Sequence, residues 1–145
     1  MLAASGLALA SPLPGGEGAP IGDTLLAPHR WYGPALVPAL DAGAVSALAH
    51  VTGGGIGGNL VRVLPMGCRA RVNESWERPA VFRWLIEAGA VPEEDARTAL
   101  NLGIGMVVVC APEWREPVVA WARQAGERVF EIGTIEAGER GVEWG

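Results

Sequence analysis

The chain has 145 residues, half of them hydrophobic, and a formal net charge of −5. That length suits one domain with a core of its own, and the negative charge argues against a nucleic-acid or anionic-membrane partner. All eleven basic residues are Arg; the lack of any Lys excludes a Walker-type phosphate loop and lysine Schiff-base chemistry.

In chain order, residues 1–24 form a Gly/Pro-rich approach in which Pro12, Pro14, Gly15, Gly16, Gly18 and Pro20 do not sustain regular structure. The stretch from Leu2 to Pro12 is apolar, with Ala8 and Ala10 spaced like a signal-peptidase site. No basic residue precedes Arg30, so the positive region that a signal peptide requires is missing. No run reaches the ~20 apolar residues of a membrane span. A cytoplasmic protein is expected. The two cysteines, Cys68 and Cys110, lie too far apart for a zinc pattern and have no histidine partner at ligand spacing, which fits a reducing compartment.

A helix is predicted over 30–42 despite Pro34 and Pro38, and Gly43 ends it. Residues 45–51 read as a strand, 59–64 as a short turn or helix, and 68–73 as an extended segment. The spacing of Val81, Trp84, Leu85 and Ala88 predicts an amphipathic helix over 79–88, closed by Gly89. A further helix over 93–100 opens on Glu93-Glu94-Asp95, acids that its dipole favours. Then come an apolar strand of buried type over 104–110, a helix over 112–125 and a final strand over 129–135. Strands alternating with helices give an α/β fold, a mixed sheet covered by helices. Trp76, Trp84 and Trp121 are expected in the core.

The most informative stretch runs from His50 through Val51, Thr52 and Gly53-Gly54-Gly55-Ile56-Gly57-Gly58 to Asn59 and Arg62-Val63-Leu64-Pro65. Glycine permits positive φ and lets a ligand approach backbone N–H groups closely, and consecutive exposed N–H groups cradle an oxyanion. Gly53, Gly55 and Gly58 match a dinucleotide-binding spacing. That fingerprint also needs a long following helix and an acid about twenty residues on. Pro65 interrupts any such helix, so the dinucleotide reading is rejected. A ligand loop and a plain turn allowing close strand–helix packing are the two readings that stand. For Arg62 the alternatives are the phosphate end of a ligand or a structural ion pair. The three aspartates are scattered and the glutamates do not cluster, so no metal site and no self-contained Mg²⁺–ATP site is expected.

The loop resembles the C-terminal domain of the phosphoribosylformylglycinamidine cyclo-ligase (aminoimidazole ribonucleotide synthetase) family, which carries a His-Ile-Thr-Gly-Gly-Gly loop leading through an Asn to Arg-Val-Leu-Pro; here Val51 replaces Ile. Further stretches agree in order: Leu25-Leu26-Ala27-Pro28-His29-Arg30-Trp31-Tyr32, Trp76 through Pro79 to Leu85, and Asn101-Leu102-Gly103-Ile104-Gly105-Met106. The ending Ile132-Gly133-Thr134-Ile135 with Gly138 and Val142 agrees as well. The family usually has Thr at the position of His29, and its Arg-Thr run is displaced by one residue at Arg97-Thr98.

The resemblance implies a C-terminal domain over 25–145, after a 1–24 lead-in, with the nucleotide-binding N-terminal half absent from this chain. It implies ATP-dependent closure of formylglycinamidine ribonucleotide to aminoimidazole ribonucleotide, with ATP and Mg²⁺ held mainly by that other half. Thr52, Gly53, Gly54, Gly55, Asn59 and Arg62 are then expected to contact substrate or phosphate. His50 is expected either as the acid/base or in a structural role. The same domain type occurs in formylglycinamidine ribonucleotide synthetase, selenophosphate synthetase, thiamine-monophosphate kinase and the hydrogenase-maturation dehydratase. The other reading is a catalytically incompetent fragment or phosphometabolite-binding module. Expected partners are the ribonucleotide, the nucleotide-binding half and a second copy of the chain.

Overall fold

A computed structural model describes residues 2–145, twelve helices and strands among them. The lead-in carries two short helices, α1 (Leu2–Ser5) and α2 (Ile21–Leu26). This corrects the expectation of an irregular approach. Leu13 and Ile21 are buried with Trp84 in a second, smaller hydrophobic cluster. The prolines and glycines shape the turns between them, and Pro12 and Pro20 form an isolated bridge.

Helix α3 (Gly33–Asp41) starts with proline near its first turn and holds Pro38 inside. It leads to strand β1 (Ala47–His50), the glycine loop and helix α4 (Gly55–Val63). Strand β2 (Cys68–Val72), helix α5 (Ala80–Ala88) and helix α6 (Glu93–Ala99) follow. Strand β3 (Met106–Val109) is joined through a 3₁₀ turn at Pro112–Trp114 to helix α7 (Arg115–Gln124). Strands β4 (Gly133–Ala137) and β5 (Gly141–Trp144) end the chain.

The architecture is mixed α/β, as the element pattern predicts, but with two small sheets. Strands β1 and β3 pair antiparallel, with His50 opposite Met106. The other sheet has the order β4-β2-β5, with β2 antiparallel to β4 and parallel to β5. Residues 129–132, predicted as strand, lie outside the ladder, apart from the Asn73 N–H donating to the Ile132 carbonyl at 2.7 Å. A cavity of about 540 Å³, lined mainly by apolar residues of β3, α7 and 127–135, separates the two sheets.

Helix α4 links them. Its Ile56 and Leu60, one turn apart, are buried with Ala49 of the first sheet, Val51 just beyond it, and Ala70 and Val72 of the second. Burying side chains of this size contributes roughly 1.5–3 kcal/mol each, which outweighs the ~1 kcal/mol that a glycine costs inside a helix. That balance explains why α4 begins at Gly55, four residues earlier than local propensity predicts. Trp76 is buried, though in a loop and not on a helix, and its Nε1–H donates to the Leu102 carbonyl at 2.9 Å. Trp121 is only half-buried.

Candidate functional site

The glycine loop leaves the end of β1 and turns directly into α4. Gly54 is the residue before the helix, with φ of 100° in the left-handed region. Side chains adopt this conformation at a cost of about 1–3 kcal/mol. Gly55 follows at φ 59°, and a β-carbon there would run into the carbonyl oxygen of Arg97. These two glycines are therefore required by backbone geometry, one for the turn and one for the contact between α4 and α6.

The first turn of a helix leaves N–H groups without intrahelical partners. Here the Gly55 N–H donates to the Thr52 carbonyl at 3.2 Å, and the Gly58 N–H to Gly54 at 2.9 Å. The N–H groups of Gly53, Gly54, Ile56 and Gly57 bond to no described residue. They sit at the positive end of the α4 dipole, where an anion is favoured.

The expected site residues divide by geometry. Asn59 is buried at 6% exposure, and its Nδ2 donates to the carbonyls of Gly55 (2.7 Å) and Gly53 (3.3 Å). Its amide is thus committed to the shape of the loop. Gly55 is buried and its N–H is taken, so it too acts on the loop. Thr52 and Gly53 are exposed. Arg62 lies two turns along α4 from Gly54, and its Nη2 reaches to 3.8 Å from where a Gly54 side chain would begin. Among the described residues Arg62 has no carboxylate partner, unlike Arg69, Arg71, Arg78 and Arg97.

Across from the loop, Gly54, Gly57 and Gly58 face Glu93, Glu94, Arg97 and Thr98 of α6 and the ring of Trp144 over an open hollow of about 600 Å³. Arg97 and Thr98 thus come to the loop, although their displaced spacing gave no secure signal in the sequence. The Arg97 guanidinium lies 4.6 Å from the Trp144 ring centroid, a cation–π contact. Its Nε is 2.9 Å from Glu93 Oε1 but out of line for a hydrogen bond. Arg78 bonds both Glu74 and Glu93, and those bonds hold the Glu93 carboxyl below its ordinary range. Glu93 and Glu94 on this far wall place negative charge opposite the loop.

His50 is exposed at the end of β1. The ring of His29 packs edge-on against it, with centroids 4.6 Å apart, and Tyr32 lies 5.8 Å from His29. Both fit there because Gly105 has no side chain, since a β-carbon would run into Tyr32 Oη and approach His29 Cε1 to 2.9 Å. Burial, and then the charge of Glu127, push the Tyr32 phenol above its ordinary pKa. Arg30 donates to Glu127 (2.8 Å) and to the Gly126 carbonyl (2.9 Å), which ties this segment to the end of α7.

The site is thus a mixed α/β domain's helix N-terminus opened through a glycine loop, with an arginine beside it that has no carboxylate partner among the described residues. Residues 1–145 match the family described as AIR synthase related protein, C-terminal domain, and the chain belongs to that family. Members of this superfamily are generally ATP-using ligases and kinases. No described helix is long and apolar enough to cross a membrane.

Proposed function

We propose that the chain works as the C-terminal half of an ATP-dependent cyclo-ligase that converts formylglycinamidine ribonucleotide to aminoimidazole ribonucleotide. The observation that carries this reading is the set of open N–H groups at Gly53, Gly54 and Gly57, with the Arg62 guanidinium beside them, unpaired among the described residues. Fixed donors of this kind stabilise charge without reorganising when it develops.

In this reaction ATP activates the formamide oxygen as a phosphate ester. An amidine nitrogen then attacks that carbon, a C–N bond forms, and the C–O bond breaks as phosphate leaves. The part we assign to this chain is to hold phosphate or substrate oxygens at the loop and to orient the reacting groups. His50, when its ring nitrogen carries no other ligand, is the histidine assigned to move a proton. Among the described residues no group of three or more His, Cys, Asp or Glu could hold a metal ion, and there is no Lys. Mg²⁺–ATP is therefore assigned to a nucleotide-binding half in trans or upstream, with the ribonucleotide spanning the two.

The loop N–H groups and Arg62 would equally serve a second reading, a module that binds a phosphorylated metabolite without catalysis. One experiment separates them. The 145-residue protein is combined with a family N-terminal half, and ATP-dependent aminoimidazole ribonucleotide formation is measured. Turnover that depends on both polypeptides supports the cyclo-ligase. Ribonucleotide binding without turnover under the same conditions supports the module, and normal turnover by this chain alone defeats both.

A further inference from the structure

The chain contains two histidines, and the fold brings them together from positions 21 residues apart in sequence. Their rings are both exposed, with centroids 4.6 Å apart and planes at 72°. The Nδ1 of His29 lies 3.1 Å from the Arg30 carbonyl oxygen. A ring nitrogen bonded in this way carries the proton, which leaves Nε2 as the lone-pair site. This is how metal-binding imidazoles are usually held, by a backbone carbonyl or carboxylate on the nitrogen away from the metal.

Two imidazoles bound to one tetrahedral ion, with metal–nitrogen bonds of about 2.0–2.1 Å, have centroids roughly 5 Å apart. The pair already stands near that spacing, with His29 held by its carbonyl bond and the exposed His50 ring free to turn toward it. Packing fixes the backbone on either side. Strand β1 carries His50 in register with Met106, and Arg30 is anchored to Glu127 and Gly126. No carboxylate or thiol completes a group of three around them among the described residues. The arrangement is therefore open, unlike a closed structural metal site, and its remaining positions fall to water or to an oxygen of a ligand.

We propose that His29 and His50 form a two-imidazole chelate for a borderline divalent transition-metal ion of the Zn²⁺, Ni²⁺ or Cu²⁺ class. Imidazole suits these ions, whereas Mg²⁺ and Ca²⁺ require oxygen. The site stands at the strand end from which the glycine loop departs, so an anion held by the loop can supply an oxygen ligand. The chelate itself does not depend on which ligand the loop takes. His29 is the decisive residue for a test, because it lies on an exposed segment outside the helices and strands, whereas His50 ends β1.

The test is calorimetric titration of the purified chain with Zn²⁺ in phosphate-free buffer, together with the electron paramagnetic resonance spectrum of the Cu²⁺ complex. One ion per chain and coupling to two nitrogens are expected. Affinity should fall on the order of tenfold or more in His29→Thr and again in His50→Gln, because either change reduces a chelate to a single ligand. Circular dichroism checks folding, and His29→Thr on the exposed segment carries the test if His50→Gln is unstable. Affinity within twofold of wild type in His29→Thr, or a Cu²⁺ spectrum with one nitrogen or with thiolate character, overturns the proposal.

Discussion

Gly55 lies directly beneath the carbonyl oxygen of Arg97, so the first residue of α4 and the last turn of α6 share a contact that has no room for a β-carbon. The same contact brings Arg97 and Thr98 to the glycine loop. Gly55→Ala must push α4 and α6 apart while straining φ at 59°. A loss of about 2–4 kcal/mol is expected from strain and overpacking together, read as a lowered urea midpoint.

The same substitution three residues on should have the opposite sign. At Gly58 nothing lies within 4 Å of an added β-carbon, and φ is ordinary. Gly58→Ala should stabilise the domain by about 0.5–1 kcal/mol through helix propensity alone. Equal destabilisation by both changes in denaturant titrations would contradict the geometry of the loop.

Gly54→Val should abolish oxyanion binding at the loop. Its φ of 100° makes the change cost roughly 1–3 kcal/mol in stability as well. Binding of inorganic phosphate, followed by backbone amide shifts at Gly53–Gly57, measures the first effect, and thermal melting the second. Unchanged phosphate shifts in a folded Gly54→Val protein would refute the cradle.

Arg62 has no ion pair among the described residues, so its removal should not touch stability. Arg62→Lys keeps the charge and loses the planar fork. Affinity for a phosphate-bearing ligand should fall on the order of tenfold, about 1.4 kcal/mol, with the melting temperature unchanged. A lowered melting temperature with full affinity would return Arg62 to a structural role.

Glu93 gives a pH signature. Hydrogen bonding from Arg78 holds its carboxyl below the ordinary 4.5. A carboxyl whose pKa is depressed in the folded state stabilises it above the unfolded value, and the contribution fades as pH falls through the depressed one. Wild type should therefore melt above Glu93→Gln at pH 7, with the gap closing progressively below pH 4.5. The Glu93 side chain is 48% exposed, so screening limits the gap to about 1 kcal/mol.

The sequence makes the loop legible because five glycines in six positions after an apolar run have few other uses. It also places most helices within a few residues, since Val81, Trp84 and Leu85 or the acids at 93–95 leave direct local marks. What it does not show depends on contacts between distant segments. The early start of α4 is decided by Ile56 and Leu60 burying against both sheets. The commitment of Asn59 to loop carbonyls is a matter of direction, which composition does not record. Arg97 reaches the loop through helix packing, and His29 meets His50 only because Gly105 leaves the space. Strand β5 lies beside β2 by a parallel pairing that no turn signal announces. The lead-in helices gain their order from Trp84 in α5.

Because no ladder hydrogen bond joins β3 to the other sheet, the half of the domain bearing the loop and both histidines has its own backbone clock. Amides of β1 and β3 are protected by a two-stranded pair alone, those of β2 by strands on both sides. Deuterium should enter Ala47–His50 and Met106–Val109 well before Cys68–Val72, in a local opening that leaves the three-stranded sheet closed. Anything that grips the loop then slows exchange in the first sheet selectively, so the arrival of a ligand can be read from a strand that does not touch it.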